Sequence, residues 1–203
     1  CIVQFQAKND VTYTVNASSA GKAEREGEST LWLHDSDNTL LASLTFCVAR
    51  SNGRPVLVIG GLQGPRRNVS REAIKQATRA CHGLFPKRVL MEVIFQLAAQ
   101  ANIHAIFAVS DEGHVFRALR YRLSKGRHFH ASYDEFWETL NGRKLSPFCW
   151  QLPLQVERKS LEEIASKKRA EYRRRFELLD DIAGSMSSRF QTTEGFRQLR
   201  TRI

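Results

Sequence analysis

Apolar and polar positions fall into stretches of different period along the chain, and each stretch predicts an element. Val11–Val15 alternates with period two, as a short strand does. Ala17–Ser29 is polar and carries Gly21 and Gly27, which predicts a loop or a frayed helical turn. Three β-rich runs follow, Thr30–His34, Thr39–Ala49 and Pro55–Gly60, separated by the turn-forming strings Asp35–Asn38 and Ser51–Arg54. Short polar turns between such runs predict an antiparallel meander.

The period then changes. Ser70 followed by Glu72 opens a helix running to about Cys81, where His82-Gly83 stops it. Pro86 suits a first helical turn, and Leu90, Val93, Ile94, Leu97, Ala98 and Ala101 recur on one helical face. Asn102 closes that helix, and His104–Val109 is a short, nearly unbroken apolar run, as expected of a strand covered on both faces. Beyond it the pattern predicts a helix over His114–Leu123, a strand over Arg127–Ala131 and a helical turn over Asp134–Leu140. A last strand, Phe148–Val156, is interrupted by Pro153. From Ser160 to about Ala183 a thin stripe of Leu161, Ile164, Ala165, Tyr172, Phe176 and Leu179 marks a long, highly charged helix. The Ser/Thr/Arg-rich tail from Gly184 is expected to be loose unless a partner holds it. No period of roughly 20–50 residues repeats, so a solenoid is excluded.

These elements sum to an α/β (α+β) fold, with residues 1–157 as one α/β domain and 158–203 as a basic C-terminal helix and tail. At 203 residues and 42% hydrophobic, the chain can bury a full core, which excludes both disorder and a disulfide-stapled miniprotein. The 4 cysteines, Cys1, Cys47, Cys81 and Cys149, form no CxxC pair and read as buried thiols of a reducing compartment. No apolar stretch approaches the roughly 18 residues of a membrane span. The expected location is the cytoplasm, with peripheral contact at the inner membrane left open.

Charge narrows the partner. Lys plus Arg number 31 against 21 acidic residues, a net charge of +10, which favours an anionic partner: nucleic acid, anionic lipid or a phosphate-bearing cofactor. Between Arg66 and Arg88, seven cations (Arg66, Arg67, Arg71, Lys75, Arg79, Lys87 and Arg88) face the single acid Glu72. Lys87 and Arg88 fall in the first turn of the Pro86 helix, where free N–H groups and the positive dipole end already favour an anion. A solvated helix face is the alternative. Lys167, Lys168, Arg169, Arg173, Arg174 and Arg175 cluster on the long C-terminal helix with only Glu171 among them. That helix could lie on anionic lipid, grip RNA phosphates, or pack on the domain as a soluble arm.

Candidate chemistry lies at Ser110-Asp-Glu-Gly-His114, at the end of the buried strand, where open sheets place ligands. Asp111 or His114 there could take a proton from an amine or hydroxyl; alternatively Asp111 caps the next helix. Tyr121 stacks with His114 and Arg117 on the helix predicted there and could protonate a leaving thiolate; half-buried packing is the alternative. His128 and His130 share a strand face but lack a third ligand, so no metal is expected.

Several strings in order, Gly60-Gly-Leu-Gln-Gly-Pro65, His82-Gly83 with Pro86-Lys87, Val109-Ser110 with His114-Val115, Tyr133-Asp-x-Phe-Trp137 and Ser166-Lys-Lys-Arg-Ala-Glu-Tyr-Arg-Arg174, resemble the VirK/YbjX family (DUF535) from about Glu26 to Asp180. The resemblance implies a bacterial protein with a role in the envelope, virulence and resistance to cationic antimicrobial peptides. The order of three antiparallel strands, a long amphipathic helix, a buried strand and a shorter helix is also similar to the GNAT acyltransferases. That likeness implies a GNAT-like mixed central sheet flanked by helices and an acyl-CoA or other acyl thioester as donor, held by His82, Gly83, Pro86, Lys87 and Arg88. The acceptor amine or hydroxyl would be deprotonated near Glu28, Asp111 or His114, and Tyr121 would serve as the acid. The glycine-rich phosphate loop of that family is absent, and a helix is inserted before Pro86. The alternatives are a non-catalytic binder of lipid A, an anionic membrane or a nucleic acid, and a transferase that takes its acyl group from an aminoacyl-tRNA.

Overall fold

The computed structural model describes residues 1–66, 68–114 and 132–191, apart from the side chain of Lys22. The predicted helix His114–Leu123 beyond His114, the strand Arg127–Ala131, and with them Tyr121, His128 and His130, lie outside the described residues, as do Arg67 and the tail from 192.

Strands β1 (Val3–Gln6), β2 (Thr12–Ser19), β3 (Ser29–His34), β4 (Leu40–Ser51) and β5 (Arg54–Gln63) form the meander. Helices α1 (Arg71–Ala80) and α2 (Pro86–Gln100) lead into β6 (Ala105–Val109). Helix α3 (Tyr133–Glu138), the hairpin β7 (Arg143–Ser146) and β8 (Cys149–Leu152), and α4 (Ser166–Gln191) complete the chain. The strands make one mixed sheet in the order β1-β2-β3-β4-β5-β6-β8-β7, antiparallel except for the parallel neighbours β5 and β6.

Local chemistry sets the predicted boundaries. Asp35 Oδ1 accepts from the amides of Asp37 and Thr39 (3.0 and 2.8 Å) to turn β3 into β4. Asn52 and Gly53, both at positive φ (49° and 76°), make the two-residue β4–β5 turn. Ser70 Oγ caps α1 by accepting from Ala73 N at 3.1 Å. Asn102, at φ 52°, ends α2 while Ile103 N donates back to Ala98 O at 2.9 Å.

Cross-strand register aligns Val3, Val15, Leu33 and Ala42 in one row and Leu31, Leu44 and Leu62 in another. Both rows are buried, and with α2 and α4 they form one core. Burial on α2 is wider than the predicted stripe: Val89, Met91 and Phe95 are buried with Leu90, Val93, Ile94 and Ala98, whereas Ala101 is exposed.

Four expectations change. Ser18 and Ser19 belong to β2 and Ser29 to β3, so the loop between them is shorter than the polar pattern predicts; β1 and β7 were not anticipated at all. Helix α4 starts later than predicted and continues through Gly184 to Gln191. It buries Leu178, Leu179, Ile182 and Met186 in the common core; Leu179 belongs to the predicted stripe, whose Tyr172 and Phe176 are half-buried, and the stripe continues about two turns further than the pattern suggested. Among the cysteines only Cys81 is buried, where burial pushes its thiol up to about 12; Cys47 and Cys149 are half-buried and Cys1 is exposed.

The pairing of β4 with β5 steps from Thr45↔Gly61 to Phe46↔Ile59, leaving Gly60 as the extra residue of a bulge. A Cβ on Gly60 would lie 1.9 Å from the Glu26 carbonyl oxygen, so only glycine lets the chain at Glu26 cross the sheet there. Gly60→Ala should destabilise the protein by about 1–3 kcal/mol or more, read as a lower urea midpoint. Gly61→Ala, whose Cβ would meet the Glu26 side chain rather than backbone, should cost less.

Candidate active site

β5 and β6 pair in parallel from Val56↔Ala105 to Ile59↔Ala108 and no further, so they diverge at the bulge. A buried backbone group at such a divergence must find another partner. Helix α3 supplies two. The Tyr133 hydroxyl accepts from Leu62 N at 3.1 Å on the β5 side, and Trp137 Nε1 donates to Val109 O at 2.8 Å on the β6 side. The two rings stack at 5.9 Å and are buried. The two strands therefore part here, and Tyr133 and Trp137 occupy the opening between them.

Two more ionisable side chains converge on this point. Glu26, 7% exposed, lies over Gly61 and places Oε1 3.5 Å from Nε2 of His114, which is fully buried. The His114 ring packs against Tyr133 with centroids 5.1 Å apart. Gln63 Nε2 donates to the Tyr133 hydroxyl at 2.9 Å. Burial pushes that hydroxyl above the ordinary phenol range, and the Glu26 and Asp111 charges push in the same direction, so Tyr133 holds its proton at neutral pH.

Asp111 has a different task. Its carboxylate accepts from the amides of Tyr133 (2.8 Å) and Asp134 (3.4 Å) and from Ser132 Oγ (2.9 Å). It is the helix cap weighed for it in the sequence, but of α3 rather than of the segment that follows it directly. Asp134 reciprocates, accepting from Asp111 N at 3.0 Å, Trp150 Nε1 at 2.9 Å and Lys144 Nζ at 2.5 Å. This exchange holds α3, and with it Tyr133, against the ends of β6 and β8.

Of the predicted acids and bases, His114 lies in the opening. Glu28 does not: it is exposed, and Glu26, two residues earlier, takes the buried place. The sequence signal for Glu26 was a carboxylate beside Gly27, read there as part of a polar loop.

The predicted anion cradle is also redistributed. His82 (φ 51°) and Gly83 form the turn after α1, where Gly83 N donates to Thr78 O at 2.7 Å and Arg175 Nε donates to His82 O at 2.8 Å. Pro86 is buried in the core, and Arg88 pairs with Glu92 at 3.3 Å. Lys87 is the member of the set with neither hydrogen bond nor ion pair among the described residues. Its stem lies within 3.8 Å of where a Cβ on Gly64 would stand, just past the end of β5, and burial pushes its ammonium down. On α4, Lys167, Lys168, Arg169, Arg173 and Arg174 are exposed, whereas Arg175 is half-buried over Tyr172.

A family model described as a protein of unknown function, DUF535, matches residues 1–188. The chain belongs to the DUF535 family. It is 40% identical over 190 residues to the uncharacterized protein YbjX of Escherichia coli (strain K12), covering 94% of this chain and 57% of that one. An uncharacterized protein of Haemophilus influenzae is 41% identical over 128 residues, covering 63% of this chain and 42% of that one. A membrane protein named LapB from Mannheimia haemolytica is 30% identical over 79 residues, or 39% of this chain and 33% of that one. The chain thus spans about half the length, or less, of the curated relatives it matches. Among the described residues of this DUF535 chain, no helix is long and apolar enough to cross a membrane.

The Asp111–Asp134 exchange makes a pH prediction. Burial pushes the Asp134 carboxyl up, but the hydrogen bonds from Lys144, Asp111 N and Trp150 outweigh it and hold the group below its ordinary value. A carboxyl depressed on folding contributes stability that is fully present above its unfolded value, about pH 4, and is lost as pH falls through the folded value. Wild type should exceed Asp134→Asn in urea midpoint near neutrality, and the two midpoints should converge by about pH 2.

Proposed function

We propose that this DUF535 protein is a GNAT-like acyltransferase that moves an acyl group from a thioester donor to an amine or hydroxyl acceptor. The observation that carries the reading is the divergence of parallel β5 and β6 at a glycine bulge, with Glu26, His114 and Tyr133 converging on it. Mixed sheets place ligands where the ends of parallel strands part. The donor supplies an activated carbonyl and a thiolate leaving group. Glu26, through its contact with His114, takes the proton of the attacking amine or hydroxyl. The Leu62 amide, which Tyr133 engages in this state, turns to the carbonyl oxygen and stabilises the charge that develops there. Tyr133, released from that amide and still protonated, gives its proton to the departing sulfur. Tyr133 thereby assumes the role expected of Tyr121. Lys87, beside the end of β5, takes a phosphate of the acyl-CoA in this reading, which its lack of a side-chain ion pair among the described residues supports.

A second reading rests on α4. Lys167, Lys168, Arg173 and Arg174 are exposed and make no ion pair among the described residues. Such a face suits a polyanion: an anionic membrane surface or lipid A, in keeping with the envelope role that the family resemblance implies, or a tRNA delivering an aminoacyl group.

Release of free thiol from acyl-CoAs in the presence of amine and hydroxyl acceptors tests the first reading. Tyr133→Phe and Glu26→Gln should each lower the rate by about 10²–10⁴-fold with the circular dichroism unchanged. A donor at 100-fold excess over its Kd should add about 2.7 kcal/mol to stability. No thermal shift with any thioester, together with salt-sensitive binding of polyanions that Lys167→Glu/Arg174→Glu weakens, would replace the transferase by the binder.

A further inference from the structure

At the opposite end of the sheet from Lys87, where β5 and β6 begin and α2 ends, the helical layer does not close onto the strands. A cavity of about 510 Å³ remains there. Its walls are Leu31, Phe46, Val48 and Leu57 from the sheet, Leu97 from α2 and Phe190 from α4. Protein interiors pack with few voids larger than a water molecule, whereas small-molecule sites run from roughly 300 to 1,000 Å³. The space is thus of ligand size, and its walls are mostly apolar, with Ser29, Gln100 and Asn102 as their uncharged polar residues.

Among the described lining residues Arg50 is the charged side chain, and none is a carboxylate. Arg50 commits one guanidinium nitrogen, Nη1, to the Gly53 carbonyl at 3.1 Å. Its neighbour across the turn, Arg54, lies 3.2 Å from His104 Nε2. Residues 47–58 and 97–108, two of the stretches that build this end, contain no Asp or Glu, whereas exposed Glu28 precedes the lining residue Ser29. An apolar space with a cationic rim matches an amphiphile with a hydrocarbon tail and an anionic head.

We propose that this cavity binds a single-chain fatty acid, with the tail among Leu31, Leu57 and Leu97 and the carboxylate against Arg50. The site stands apart from the opening between β5 and β6 and does not depend on acyl transfer there.

The full chain titrated with the fluorescent fatty acid cis-parinarate, below its micellar concentration, tests this. Saturable binding at one site is expected, competed by saturated fatty acids whose affinity rises about fourfold per added methylene until the cavity is full. Arg50→Gln should weaken the carboxylate about tenfold and leave a fatty alcohol of equal length unchanged. Val48→Trp, which fills the space, should abolish both; because Arg50 is exposed, its variant remains informative if the tryptophan disturbs folding. The proposal is overturned by absence of saturable binding, by binding indifferent to both substitutions, or by an alkylamine binding as tightly as the acid. A lysophospholipid that outcompetes every fatty acid would assign the cavity to a membrane lipid instead, and would equally overturn it.

Discussion

The architecture depends on two hydrogen bonds made by aromatic side chains where a ladder of backbone bonds stops. β5 and β6 are paired for only four residues on each strand, then part because Gly60 adds a residue to β5. Parting exposes backbone groups in the middle of the protein, where leaving them unpaired would cost on the order of 1–3 kcal/mol each. Tyr133 and Trp137 take up the Leu62 amide and the Val109 carbonyl from opposite sides. One short helix thus stitches two strands that no longer reach each other.

That stitch explains why so many polar groups gather nearby. α3 is only six residues long, too short to hold its place by its own hydrogen bonds. The Asp111–Asp134 exchange anchors its start to the end of β6, and Trp150 and Lys144 extend the anchor to the β7–β8 hairpin. Above the bulge, glycine at positions 60 and 61 lets Glu26 descend onto the sheet and meet His114. A structural solution to an unpaired strand end and a cluster suited to proton transfer therefore use the same residues. An enzyme built this way would have to exchange the Tyr133–Leu62 bond for a bond to substrate, a near-even trade because one acceptor replaces another on the same amide.

Charge follows a different logic from the buried cluster. Arg88 and Arg175 pair with Glu92 and Glu171 within their own helices, α2 and α4, and Arg158 ties the segment before α4 to Asp180 on that helix. Among the described residues, the cations without an ion pair include exposed Lys167, Lys168, Arg173 and Arg174 on α4, exposed Arg50 at the end of β4 and half-buried Lys87, so unpaired positive charge is spread over different parts of the fold. A single net charge carries no information on that partition, because it depends on which carboxylates the tertiary structure brings within reach.

The amino-acid order by itself determined the meander, both turns that divide it, the capped helix at Ser70, the helix that opens at Pro86 and the buried strand before Ser110. Each rests on contacts between residues near in sequence: caps, turn glycines and asparagines, and periodic apolar positions. It also carried the family resemblance, and it singled out His114, which the fold buries beside Glu26. The edge strands β1 and β7 escaped because four residues are too few for alternation to stand out, and the pattern ended the α4 stripe too early because charged residues flank the apolar positions that are buried. Only the tertiary structure decided that Glu26 and not Glu28 faces inward, that Arg175 caps the turn at His82, and that Tyr133 meets Leu62. These are contacts across 71 to 93 positions of chain, set by a one-residue bulge and by the packing of α4, and no local period encodes them.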